Sequence, residues 1–166
     1  MQSGYGREIK TPNTPSRPPG TFPKKPYVCC SPATRRIIYG LTSGRQSAVS
    51  TALFSLRGNF DALKFIAINA LTPSMGREAI MRICKLAEGG FKPWTPAAEK
   101  VRGILSEVAI NSTNEEVRKA ASSRIWDMKK ANPEVDISAI LVSSASPQKG
   151  QISSESFKDG LMDLLD

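Results

Sequence analysis

The 166-residue chain contains no histidine, and that absence narrows its chemistry. Histidine is the side chain whose ordinary pKa places proton exchange near neutral pH, so the commonest general acid or base is missing. The three cysteines cannot build an ordinary four-ligand structural zinc site from one chain without recruiting carboxylates. Cys29, Cys30 and Cys84 also offer no C-x-x-C pair. An odd cysteine count at this length argues against a disulfide scaffold and for a reducing compartment, so an intracellular, non-secreted protein is expected. The polar, Gly- and Pro-rich N-terminal stretch has no apolar run of the signal-peptide kind. No segment approaches the roughly 20 apolar residues of a transmembrane helix. Phosphate-cradling and nucleophile-elbow patterns are lacking as well: there is no G-x-x-x-x-G-K-[ST], no G-x-G-x-x-G and no G-x-S-x-G. The paired carboxylates Glu115-Glu116 sit in the first turn of a predicted helix, where the helix dipole accounts for them. A non-catalytic protein without cofactor or metal is the expectation.

Acidic residues are scarce at one end. Residues 1–45 carry eight basic side chains and one acidic one, residues 46–150 carry fourteen and ten, and residues 151–166 carry one and four. The whole chain has a formal net charge of +8 and a pI near 9.6. A basic excess favours polyanionic partners, either nucleic acid or an anionic membrane surface. Seven of the twelve prolines fall in residues 1–33, with Gly, Ser and Thr between them. Such a segment cannot bury enough apolar surface to offset its ordering entropy, and its prolines favour extended polyproline II. Residues 1–33 are therefore expected to form a disordered basic arm. Arg7, Lys10, Arg17, Lys24, Lys25, Arg35, Arg36 and Arg45 suit a phosphate backbone, each neutralised phosphate releasing counterions. Tyr5, Phe22, Tyr27 and Tyr39 are interleaved among them and are of the type that stacks on unpaired bases. Nothing in the pattern points to sequence-specific reading.

The middle of the chain reads as helices, which predicts an all-α class: a compact bundle of about five helices over residues 34–142. Residues 34–45 form a transition, docking through Ile37, Ile38, Tyr39 and Leu41. Residues 46–57 place Val49, Leu53 and Leu56 on one stripe, with Gly58 past the end and Asn59 as cap of the next helix, 60–71. That helix is apolar nearly all round, which marks it as central. Thr72-Pro73 and Thr95-Pro96 each pair an N-cap with proline at N1. The first opens a helix to about Glu88 with Ile80, Ile83 and Ala87 inward, stopped by Gly89-Gly90. The second opens one to about Ile110 on Val101, Ile104, Leu105 and Val108. Two overlapping capping boxes, Ser112/Glu115 and Thr113/Glu116, precede a stripe of Val117, Ala121, Ile125 and Met128 that ends at Asn132-Pro133. Residues 135–142 are read as a short helix. Residues 143–166 are expected to be a flexible linker and a short acidic amphipathic tail.

Several short features have both a functional and a plain structural reading. Arg118, Lys119 and Arg124, with Lys129, Lys130 and Trp126, could line a basic groove or a solvated helix face. Cys29 and Cys30 beside Lys24 and Lys25 fit S-acylation, where a chain plus a basic patch gives two membrane signals. "PNTPSR", with Pro12, Pro15 and Arg17, fits the P-x-x-P-x-[RK] form read by proline-binding grooves. Leu161, Leu164 and Leu165 in "LMDLL" fit a short helix laid into a partner's apolar groove, or a last helix packed on its own core. Thr11, Thr14, Ser31 and Ser146 precede proline, and phosphorylation there would cancel local positive charge.

The layout of basic Pro-rich arm (Arg7 to Arg36), helical core and acidic end ("GLMDLLD") resembles that of small viral coat or nucleocapsid proteins. The resemblance implies a protein that self-assembles around RNA, in the cytoplasm or within a virion, the arm neutralising backbone and the core supplying subunit contacts. A peripheral membrane protein and an adaptor working through "PNTPSR" and "LMDLL" are the alternative expectations.

Overall fold

A computed structural model describes residues 30–87, 94–135 and 150–166. The expected N-terminal arm up to Cys29, the Gly89-Gly90 stop and, beyond Val135, the helix expected over residues 135–142 lie outside the described residues.

Local sequence sets where the helices begin. Three of them start on a hydroxyl residue followed by proline. Ser31, Thr72 and Thr95 accept the backbone N–H of Thr34, Met75 and Ala98 at 3.1, 3.3 and 3.1 Å. The cap satisfies one orphan N–H, and the proline ring pre-sets the first helical φ without losing a bond the helix would have made. Asn59 caps the next start by accepting from Ala62 at 3.0 Å. The described residues form seven helices: α1 (Pro32–Thr42), α2 (Gln46–Ser55), α3 (Phe60–Ile68), α4 (Pro73–Lys85), α5 (Pro96–Asn111), α6 (Glu115–Ala131) and α7 (Ser154–Leu165).

The all-α class is as expected, with a larger helix count. The stripes expected to face inward do so: Val49, Leu53, Leu56, Ile80, Ile83, Val101, Ile104, Leu105, Val108, Val117, Ala121, Ile125 and Met128 are all buried. Sequence neighbours pack in pairs, α1 with α2, α3 with α4 and α5 with α6. Helix α4 joins these pairs through α2 and α6, and α7 covers α1 and α3.

Three expectations are corrected. The fold begins before residue 34: Ser31-Pro32 starts α1, and Ile38 and Leu41 enter the core. Prolines crowd that stretch, which made a helix start look like more arm. The capping boxes do not form. Asn114 is the N-cap of α6, accepting from Glu116 and Val117 at 3.0 and 3.4 Å. Ser112 instead donates to the Ala67 carbonyl at 3.1 Å, and Thr113 N–H donates to the Ile68 carbonyl at 2.9 Å. These bonds tie the α5–α6 corner to the end of α3. Finally, the acidic end is no free tail. Residues 154–165 form α7, whose Phe157 and Leu161 are fully buried. The Phe157 ring lies 5.7 Å from that of Phe65 on α3. Its amphipathic spacing was legible; that its apolar side fits this core rather than another chain was not.

Candidate nucleic-acid interface

Of the predicted basic positions, Arg7, Lys10, Arg17, Lys24 and Lys25 lie outside the described residues, as do Cys29, Pro12 and Pro15. Arg35, Arg36, Arg45, Arg118, Lys119 and Arg124 fall on two separate faces, one formed by α1 and α2, the other by α6.

The α6 face carries Arg118, Lys119, Arg124 and Trp126. Each cation there is already engaged. Arg118 donates to the Ser112 carbonyl at 2.8 Å, Lys119 pairs with Glu115 at 2.7 Å, and Arg124 pairs with Asp127 at 3.4 Å. The Lys119 ammonium holds the Glu115 carboxyl below its usual range. Trp126 is 47% exposed, with the Lys129 ammonium 5.8 Å from its ring centre. A shallow depression of about 710 Å³ runs along this face, and both Glu115 and Asp127 line it with Arg118, Lys119 and Lys130. Exposed ion pairs are weak because water screens them, so the carboxylates do not lock the cations. They do leave the face electrostatically mixed.

The α1–α2 face differs. Arg35 donates from Nε to the Cys30 carbonyl at 3.2 Å, which holds it to the root of the arm. Arg36 and Arg45 are exposed and have no acidic partner among the described residues. Tyr39 shares this face, at 71% the most exposed of the large apolar side chains among the described residues. Arg36 and Tyr39 are three residues apart on one helix and so share a face. Arg45 is placed by the turn between the helices, where Gly44 takes φ +71°. That left-handed backbone favours glycine because it lacks Cβ.

The two helices meet closely beneath these side chains. A Cβ built on Gly40 would lie 2.9 Å from the Ala48 carbonyl oxygen and 3.0 Å from the Ala52 Cβ. The result is a shallow groove of about 450 Å³, lined by Arg36, Tyr39 and Gly40 of α1, by Arg45 at the N-cap of α2, and by Ser47, Thr51 and Ser55 of α2. No carboxylate is among its described lining residues. No family model matches this chain, and neither a curated protein nor a solved structure matches it.

The remaining candidates sort by burial. Leu161 is in the core and Leu165 packs against it, while Leu164 is 40% exposed. "LMDLL" therefore does not present its three leucines together to a partner. Cys30 is buried at 6% exposure, a poor position for an acyl chain. Trp94 packs against the core. Among the described residues, no helix is long and apolar enough to cross a membrane and no cluster suited to a metal ion occurs.

Sequence reasoning missed one polar cluster. Glu78 on α4 accepts from Ser50, from Gln46 at 3.1 Å and from Arg82 at 3.1 Å, joining α2 to α4. The i,i+4 spacing of Glu78 and Arg82 was the available signal.

Proposed function

We propose that this protein is a non-catalytic, nucleic-acid-binding structural protein of the RNA-packaging type. It binds phosphate backbone without sequence specificity and self-associates through its helical core. The observation that carries this reading is the concentration of charge: eight basic side chains against one acidic one in residues 1–45. The two of these that are described and bear no acidic partner, Arg36 and Arg45, continue that positive run onto the folded surface. Exposed Phe54, Met81 and Trp126 offer apolar area for contacts between copies. Burial of Cys30 and Leu161 weakens the membrane and adaptor alternatives.

The test removes residues 2–29, which spares the Ser31 cap. The full chain should bind RNA with a steep fall in affinity as salt rises. Five basic residues go with the deletion. At about 0.7 per phosphate contact on a single strand, the slope of log K against log salt should flatten by about 3 to 4. An unchanged slope removes the arm from the reading. The untagged protein, purified intact, should also run as a large particle with an absorbance ratio raised towards 260 nm. A clean monomer that binds no nucleic acid defeats the proposal.

A further inference from the structure

We propose that the α1–α2 groove is a discrete binding site for single-stranded nucleic acid, in which Tyr39 stacks on an unpaired base while Arg36 and Arg45 hold the phosphates on either side. This rests on the nucleic-acid reading above and deepens it, because it locates a contact on the folded core and gives it a preference for unpaired strands.

Three independent features converge on the groove. The first is charge. Two guanidinium groups edge one concavity with no carboxylate in the described lining, so their potentials add and an anion is favoured there. The start of α2 lies on the same rim. Its N-cap residue is Arg45, which makes no side-chain cap bond, so the positive end of the helix dipole reinforces that charge. The depression beside Trp126 lacks this property, since Glu115 and Asp127 line it.

The second is the aromatic plane. Tyr39 projects 71% exposed from a helix whose other large apolar side chains, Ile37, Ile38 and Leu41, pack into or against the core. A ring left outside on a groove that two guanidinium groups also line suits base stacking, which every base offers through its π-face. In a duplex the bases are already stacked and paired, so such a ring discriminates in favour of single strands.

The third is shape. Gly40 lets the helices close, and the α2 wall carries only short side chains, those of Ser47, Ala48, Thr51, Ala52 and Ser55. Thr51 and Ser55 direct their hydroxyl protons back to the Ser47 and Thr51 carbonyls at 2.9 and 3.1 Å. The wall is thus short and internally satisfied. The groove is open to solvent along its length, so a strand can lie across it without threading into a pocket.

The experiment uses the full chain and two probes of equal length: an unstructured uridine-rich RNA and an RNA duplex. Tyr39→Leu should weaken single-strand binding about 5- to 150-fold, the range that one base stack is worth, and leave duplex binding unchanged. Tyr39→Phe keeps the ring and should retain affinity. Arg36→Gln/Arg45→Gln should flatten the single-strand salt slope by about 1 to 1.5. All these side chains are exposed, so thermal unfolding should match the parent chain. Equal losses on both probes overturn the groove site. So does unchanged single-strand affinity in Tyr39→Leu when removal of residues 2–29 abolishes binding; in that case the arm binds and the broader reading stands. If Tyr39→Leu shrinks the particle and spares RNA affinity, the groove is instead a contact between copies. Absence of nucleic-acid binding by the full chain defeats both proposals.

Discussion

Cys84 shows what partial burial of a single side chain does here. Its thiol sits half-buried on α4, and burial pushes its pKa up to about 11, with Arg124 pulling it down and Asp127 pushing it up. The thiolate is the reactive form, so the native thiol should be inert near neutrality. Iodoacetamide labelling of Cys84, followed by peptide mass spectrometry, should be slow at pH 8 and accelerate between pH 10 and 11. In denaturant it should be fast at pH 8. Rapid native labelling at pH 8 would contradict this environment. Because the folded pKa of Cys84 is raised, its contribution to stability is fully present below about pH 9 and is lost as pH rises towards 11. At this scale the sequence was most readable for caps. Asn59, Thr72 and Thr95 act as their neighbours suggest, because a cap is decided within four residues. Ser112 was misread because its hydroxyl is claimed by Ala67, forty-five residues away.

Among the helices, α7 distinguishes a core element from a partner motif most sharply. Leu161 is fully buried and Leu164 is 40% exposed, although both belong to "LMDLL". Leu161→Ala should lower unfolding stability in urea by about 2–5 kcal/mol, the usual cost of emptying a buried leucine site. Leu164→Ala should stay within about 0.5 kcal/mol, as exposed substitutions do. Equal effects would mean that α7 does not dock as described. Gly160 belongs to the same contact: a Cβ there would come within 2.6 Å of the Phe65 ring. Helices α4, α5 and α6 were legible because their apolar spacing continues over three or more turns, and α2 and α3 because Gly58 and Asn59 mark the boundary between them. Helices α1 and α7 are harder to read for one shared reason: each is flanked by polar or Pro-rich chain and rests on what it packs against.

For the whole molecule, composition and periodicity were enough for an all-helical core beneath a basic end. The groove was not visible in them. Arg36, Tyr39 and Arg45 are all nameable from the sequence, but their grouping depends on how closely α1 meets α2. That approach is set by Gly40 against Ala48 and Ala52, a contact between helices that no periodicity encodes. The α6 cluster differs in the opposite direction. Arg118, Lys119 and Arg124 are near one another in sequence and in space, yet Glu115 and Asp127 come with them.

The way α1 is anchored has one more consequence. Its first turn is held at Ser31, and Thr34 donates to Asp166 at the end of α7 at 3.1 Å, so the arm departs from a fixed point close to the Tyr39 groove. Under the proposed mode, a strand caught by Lys24 or Lys25 is tethered within a few residues of that point. Its second contact is then intramolecular, governed by effective concentration rather than by bulk encounter. Twenty Gly/Ser residues inserted after Val28 leave every contact intact and dilute that concentration, by about tenfold if it falls as the −3/2 power of tether length. Long RNA should lose affinity accordingly, while an oligonucleotide that fills only the groove should bind as before.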